Sequence, residues 1–163
     1  MFDLNVFCIG QKEPTTQIPN IDDIFIENIN EKWNQEQKCY HSIATIFNFI
    51  NGFWYSLSKD PEEIAGTAIC DYVVGENIYP YWVEDSEVIK DLNTLIIKHE
   101  YLQSFIAILM HLIDASPIRK IMVFCRYQSS DTEVLCGTIN VNEFFKLLSK
   151  GEILTNICYF IEG

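Results

Sequence analysis

Cys39 and His41 are the residues whose types come nearest to a catalytic pair, because a thiolate beside an imidazole can act as a nucleophile with its base. Successive side chains on a helix are separated by about 100°, so residues two apart point in different directions. We therefore predict a packed thiol and a surface histidine here. A small hydrolase that depends on this cysteine or on a histidine remains an alternative function.

Other residue patterns contain part of a catalytic or metal-binding arrangement, but none of them is complete. His111 and Asp114 are three residues apart and could touch on one helical face, where a surface ion pair is the ordinary outcome. The carboxylate pairs at 22–23 and 62–63 are typical of solvated acids. A metalloprotease-like string has Gln103 where its second histidine would stand. Phosphate-binding loops, dinucleotide turns and nucleophile elbows do not occur in the sequence, so we expect no catalytic residue, no metal and no cofactor.

The cysteines and the apolar runs indicate the cellular compartment of the protein. Six cysteines lie far apart without C-x-x-C spacing, which predicts free, mostly buried thiols in a reducing cytosol and disfavours zinc. The longest strongly apolar stretch, residues 105–113, is too short for a bilayer span of about 20 residues. Asp3 stands where a secretory peptide would carry a basic residue. We expect a cytoplasmic protein without a membrane partner. The cysteines are Cys8, Cys39, Cys70, Cys125, Cys136 and Cys158.

Negative charge is concentrated in the N-terminal part of the chain. The net charge is −12, and residues 1–100 hold 17 acids and 6 bases. Residues 60–91 are the densest block, with nine acids and one base. Such a field repels nucleic acid and speeds the association of a cationic partner. We therefore expect no direct nucleic-acid binding.

Aromatic side chains alternate with these acids, and aromatic anchors within a charged rim are typical of protein interfaces. The same aromatics, Tyr72, Tyr79, Tyr81 and Trp82, are also ordinary core residues, and we expect about half of them to be buried. The predicted partner-binding residues are Asp71, Glu76, Tyr79, Tyr81, Trp82, Glu84, Asp85 and Glu87.

In the first half of the chain, hydrophobic periodicity predicts strands and one long helix. Residues 4–9 alternate as a strand, and residues 24–29 form a short apolar run. Apolar residues at spacings of three and four predict an amphipathic helix over residues 39–59. Residues 67–74 predict a strand that forms a hairpin with residues 78–83.

The second half is predicted to be richer in helix. A helix is predicted to begin near Glu87 and to bury Leu95 and Ile96, and a second follows over residues 100–114. Residues 120–126 and 133–139 predict a hairpin. Asn140 and Gly151 have the chemistry of the two caps of a helix, and a last strand covers residues 157–161.

Strands and helices that do not alternate strictly predict an α+β fold. We expect a single domain over residues 1–163, in which a mainly antiparallel or mixed sheet packs with two to four helices. The strand after the helix of residues 140–150 could instead add in parallel, as a β-α-β crossover. The strand order stays open at this point.

The closing part of the chain carries a resemblance to a known group of proteins. Its pattern runs Cys125-Arg126-Tyr127-Gln128, Thr132-Glu133, Cys136-Gly137, Asn142-Glu143-Phe144 and Asn156-Ile157-Cys158-Tyr159. In this pattern, and in its size, acidity and free cysteines, the chain resembles the small acidic immunity proteins that bacteria encode beside polymorphic or contact-dependent growth-inhibition toxins. The resemblance implies a non-enzymatic inhibitor that binds the C-terminal domain of a cognate toxin, often a basic nuclease, and blocks its active site. We expect the protein itself to be a monomer or weak dimer. An inhibitor that mimics nucleic acid and targets another DNA-binding protein is the alternative.

Overall fold

The computed structural model describes residues 2–30, 51–62, 68–74, 93–127, 135–155 and 157–163, and nine strands and two helices lie within them. The fold is α+β, as the sequence predicts. The strands are β1 (Phe2–Ile9), β2 (Phe25–Asn28), β3 (Gly52–Ser58), β4 (Cys70–Val74), β5 (Asn93–Ile97), β6 (Lys120–Tyr127), β7 (Leu135–Asn140), β8 (Ile153–Leu154) and β9 (Ile157–Glu162), and the helices are α1 (His99–Ala115) and α2 (Val141–Lys150).

Two sheets form the framework. The larger has the strand order β2-β3-β1-β6-β9-β7, and the smaller has the order β4-β5-β8. Among the described strands, every pairing is antiparallel except that of β7 with β9, which are parallel. β7, α2 and β9 therefore form the β-α-β crossover that the sequence left as an alternative. The predicted hairpin of residues 120–126 with 133–139 is wrong, because β9 inserts between β6 and β7 and hydrogen-bonds to both.

The central strands of the larger sheet bury side chains on both faces. On one face, Val6, Val123 and Tyr159 belong to the main core, which also contains α1, α2 and the smaller sheet. On the other face, Phe7, Trp54, Met122, Phe124 and Cys158 form a second buried cluster. A strand buried on both faces has a nearly continuous apolar sequence instead of an alternating one.

That double burial explains the main error of the sequence analysis. The helix predicted over residues 39–59 is wrong for residues 52–58, which form β3, and residues 39–50 lie outside the described part of the chain. Trp54 faces the second cluster, and Tyr55 and Leu57 face the main core. Apolar residues on both faces give spacings that also suit a helix, so the periodicity could not distinguish the two. Gly52, at φ 152°, has a backbone conformation that no helix contains.

Residues 93–97 were likewise predicted as the end of a helix and form β5 instead. Leu95 is buried in the core, and the strand pairs with β4 on one side and with β8 on the other. The partner predicted for β4, residues 78–83, lies outside the described residues, and β5 pairs with β4.

Both described helices agree with their sequence signals. α1 buries Phe105, Leu109 and Leu112, and it ends at Ala115, two residues before Pro117. The side chain of Asn140 accepts a hydrogen bond from the backbone N–H of Asn142 at 2.9 Å, and Gly151 closes α2 in the left-handed conformation at φ 66°. In the described part of the chain, no helix has the length and apolar character needed to cross a bilayer.

Candidate partner-binding site

A pocket of about 340 Å³ lies at the β2 end of the larger sheet. The register pairs Phe25 with Ser58, so the loop that leads into β2 lies beside the turn that follows β3. Residues 16–18, 21–22 and 24–26 line one side, residues 59–61 line another, and Ile108 of α1 adds to the wall. We call this cavity the acid-rimmed pocket.

The wall is mostly apolar, with Thr16 and Gln17 as its uncharged polar residues, and its charged residues are exposed. Five isoleucines line the pocket, and the charged residues that line it are Asp22, Lys59 and Asp60, all exposed. Glu62 follows Asp60 directly after Pro61 and is also exposed. Acids therefore exceed bases around an apolar cavity. The isoleucines are Ile18, Ile21, Ile24, Ile26 and Ile108.

Hydrogen bonds hold both sides of the rim in place. The hydroxyl of Ser104 on α1 donates to a carboxylate oxygen of Asp23 at 2.9 Å, which ties the loop before β2 to the helix. Asp60 accepts from the backbone N–H of Glu62 at 3.0 Å, and its own carbonyl accepts from the Ser58 hydroxyl at 2.9 Å. A carboxylate that accepts from the amide two residues on is an Asx turn, which fixes the direction of its side chain.

A buried tyrosine anchors the beginning of the same loop. The Tyr55 hydroxyl donates to the side-chain oxygen of Gln11 at 2.6 Å and accepts from the backbone N–H of Thr15 at 2.8 Å. Gln11 in turn donates to the Thr15 hydroxyl at 3.0 Å. Burial is the largest cause that raises the pKa of Tyr55, so the phenol stays protonated and keeps its donor role at neutral pH.

We expect Tyr55→Phe to lower the free energy of unfolding by about 1–2 kcal/mol, because the Thr15 amide and the Gln11 side chain lose a buried partner. Urea unfolding monitored by tryptophan fluorescence measures the change. Tyr101→Phe is the matched control, since Tyr101 is only half-buried and its hydroxyl makes no hydrogen bond among the described residues. An equal loss in both variants would show that the Tyr55 hydroxyl does not anchor the loop.

Of the predicted partner-binding residues, Asp71 alone can be located. It lies on β4 with 66% of its side chain exposed, and its carboxylate is 3.9 Å from the ammonium of Lys98. The other seven, Glu76, Tyr79, Tyr81, Trp82, Glu84, Asp85 and Glu87, lie outside the described residues.

Tyr72, which the sequence grouped with those aromatics, is half-buried and packs against the main core. Its hydroxyl is 3.2 Å from the thiol of Cys70. Burial is the largest cause that raises its pKa, with Cys125 and Cys70 adding to the effect. Tyr72 therefore joins the smaller sheet to the core of the larger one.

The candidate catalytic groups are placed only in part. Cys39, His41 and Glu63 lie outside the described residues. Asp114 accepts a hydrogen bond from Arg119 at 2.7 Å, so its ion-pair partner is this arginine and not His111. Across the described ranges, no group of three or more metal-ligating side chains occurs.

The described cysteines are all free, as predicted, but one of them is not buried. Cys8, Cys70, Cys125 and Cys158 are buried, whereas Cys136 on β7 is exposed. Burial raises the pKa of Cys8 to about 12, and its thiol donates to the Leu112 carbonyl at 3.1 Å. A thiol of this kind stays protonated at neutral pH and is a poor nucleophile.

Comparison with known proteins gives no relative: no family model, no curated protein and no solved structure matches the chain.

Sequence reasoning missed the acid-rimmed pocket, although it named several of its acids. Asp22 and Asp23 were interpreted as solvated, and Lys59 was placed at the end of a helix. The pocket depends on the pairing of β2 with β3, which the predicted helix excluded. A glycine followed by three aromatic residues, at positions 52–55, is the signal that favours a strand there.

Proposed function

We propose that this protein is a non-enzymatic inhibitor that binds a basic partner protein, as an immunity protein binds its toxin, and that the acid-rimmed pocket receives a cationic side chain of that partner. The observation that carries the proposal is the pair of exposed acids, Asp22 and Asp60, that line a cavity whose wall contains five isoleucines. The net charge of −12 supports the same kind of partner.

The chemistry of the pocket suits an arginine or a lysine. The aliphatic stem of either residue can lie along apolar walls while its charged head stays at the rim. An arginine head group can also form paired hydrogen bonds with a carboxylate, a geometry that Asp22 or Asp60 can accept. Lys59 at the same rim repels cations, so a head group positioned between the acids is favoured over one near Lys59.

A nuclease-type toxin would be a cationic partner of this kind. A protein that binds nucleic acid neutralises phosphates with Lys and Arg, and an acidic inhibitor can occupy the same surface. Charge complementarity therefore supports a toxin of this class, whatever the catalytic residues of that toxin are.

The experiment is a calorimetric titration of the protein with the basic toxin domain that the proposal expects the adjacent gene to encode, at low and at high salt, together with a co-expression survival assay. We expect a one-to-one complex that weakens as salt rises, and survival of cells that express both proteins. Lack of binding to a folded toxin domain at low salt would contradict the proposal. Binding that is unaffected by salt would contradict the electrostatic part of it.

A further inference from the structure

Two cysteines face each other across neighbouring strands at the edge of the larger sheet. In the parallel pairing of β7 with β9, Cys136 is the register partner of Cys158. Residues paired in this way project to the same face of the sheet, and their strands are about 4.8 Å apart. Disulfides need Cα atoms about 4.4–6.8 Å apart, so the backbone spacing suits a bond between them.

The two thiols differ in their surroundings. Cys136 is exposed on β7, which is an edge strand of the larger sheet, whereas Cys158 is 2% exposed. On its other side, the sulfur of Cys158 lies 3.7 Å from the sulfur of Met122. One thiol is therefore accessible, and the second lies beside it and is shielded from solvent. A reactive cysteine and its resolving partner have this arrangement.

The interaction between the thiols favours ionisation of the exposed one. A hydrogen bond from the Cys158 thiol lowers the pKa of Cys136 to about 7, and burial opposes this effect. The same interaction, together with burial, raises the pKa of Cys158. Cys136 is therefore the thiol that becomes a thiolate near neutral pH, while Cys158 keeps its proton.

From this geometry we propose that Cys136 and Cys158 form a peroxide-sensitive dithiol, in which Cys136 is oxidised first and Cys158 closes a reversible disulfide between β7 and β9. The oxidant is a hydroperoxide such as hydrogen peroxide. The site is separate from the acid-rimmed pocket and does not depend on the proposed partner.

The reaction balances in two steps. The Cys136 thiolate attacks one peroxide oxygen, the O–O bond breaks, and the departing hydroxide takes up a proton and leaves as water, so that Cys136 becomes a sulfenic acid. The Cys158 sulfur then attacks the Cys136 sulfur, and an S–S bond forms as the S–O bond breaks. The released hydroxide and the Cys158 proton leave as a second water. Two thiols lose two electrons in total, and one peroxide is reduced.

The test treats the full chain with hydrogen peroxide in a Cys39→Ser background, which removes the one thiol that lies outside the described residues. We expect mass spectrometry to show loss of two hydrogen atoms, peptide mapping to join Cys136 to Cys158, and a reducing dithiol to reverse the change. In Cys158→Ala we expect the sulfenic acid of Cys136 to persist and to be trapped by dimedone. The peptide mapping of the protein that keeps both Cys136 and Cys158 does not depend on the stability of the Cys158→Ala variant.

The matched control moves the thiol two residues along the same strand, by combining Cys136→Ser with Thr138→Cys. Position 138 is exposed on the same face, and its register partner is Phe160. Allowing for the lower nucleophilicity of a more acidic thiol, we expect Cys136 to react with iodoacetamide at pH 7 about threefold faster than the control thiol. Equal rates in the two proteins would overturn the proposal. So would dimedone adducts that accumulate equally with and without Cys158, or a disulfide that forms only between two molecules.

Discussion

Gly52→Ala is expected to lower the free energy of unfolding by about 3 kcal/mol or more, through backbone strain and steric overlap together. At φ 152°, Gly52 has a conformation that side chains rarely adopt, and a Cβ there would overlap the backbone oxygen of Cys8 on the neighbouring strand. The Gly52 carbonyl also accepts a hydrogen bond from the Asn30 side chain at 3.1 Å. Any shift that relieves the overlap would disturb the pairing of β1 with β3.

The control for this prediction is Gly151→Ala at the end of α2. Gly151 has a positive φ of 66°, but a Cβ there would meet only the Ile96 side chain, at 3.4 Å and beyond. We expect a loss of about 1 kcal/mol, the ordinary cost of alanine in the left-handed conformation. Urea titration followed by circular dichroism measures both variants. Equal losses in the two variants would mean that β3 does not lie as close to β1 at Gly52 as it does in the structure.

Removing negative charge at the acid-rimmed pocket is expected to slow association with the basic partner about tenfold at low salt, because electrostatic steering sets the rate of such encounters. The variant combines Asp22→Lys with Asp60→Asn. Asparagine at position 60 keeps an oxygen that can accept from the Glu62 amide, so the turn is retained while the charge is lost. The free energy of unfolding should change little, since exposed charges contribute little to it.

The matched control, Glu143→Lys with Glu152→Gln, changes the net charge by the same amount at another place. Both acids belong to α2 or its C-terminal end, and α2 packs on β7 and β9, about 20 Å of sheet away from β2. Association rates measured by surface binding at several salt concentrations should fall much less for the control. If the two variants slow association equally, the effect is one of overall charge, and the pocket is not the contact.

Elements whose signals are local could be predicted from the sequence. α2 was predicted with both of its caps, because Asn140 and Gly151 act on the backbone next to them. α1 has a one-sided apolar stripe and a proline after its end, so its period is unambiguous. The first and last strands were also predicted correctly.

Elements that depend on distant partners could not be predicted in the same way. β3 is buried on both faces between β1 and β2, and its apolar spacings therefore resembled those of a helix. The insertion of β9 between β6 and β7 depends on a crossover that no local residue specifies.

The two candidate sites also depend on pairings between distant strands, so the sequence could not predict them. The acid-rimmed pocket depends on the pairing of β2 with β3, and the dithiol depends on the parallel pairing of Cys136 with Cys158. The partner-binding residues predicted over positions 76–87 remain a prediction.

Hydrogen–deuterium exchange of the protein, alone and bound to the basic toxin domain that we propose as its partner, tests the central claim most directly. Apart from Ile108, the residues that line the acid-rimmed pocket lie in the segments 16–26 and 59–62, whose backbone amides report on its occupancy. Binding there should slow their exchange, because the partner would exclude water from both segments. We predict protection of both segments in the complex, with exchange in α2 unchanged. Protection confined to other parts of the chain, with both segments exchanging as in the free protein, would contradict the assignment of the pocket as the binding site.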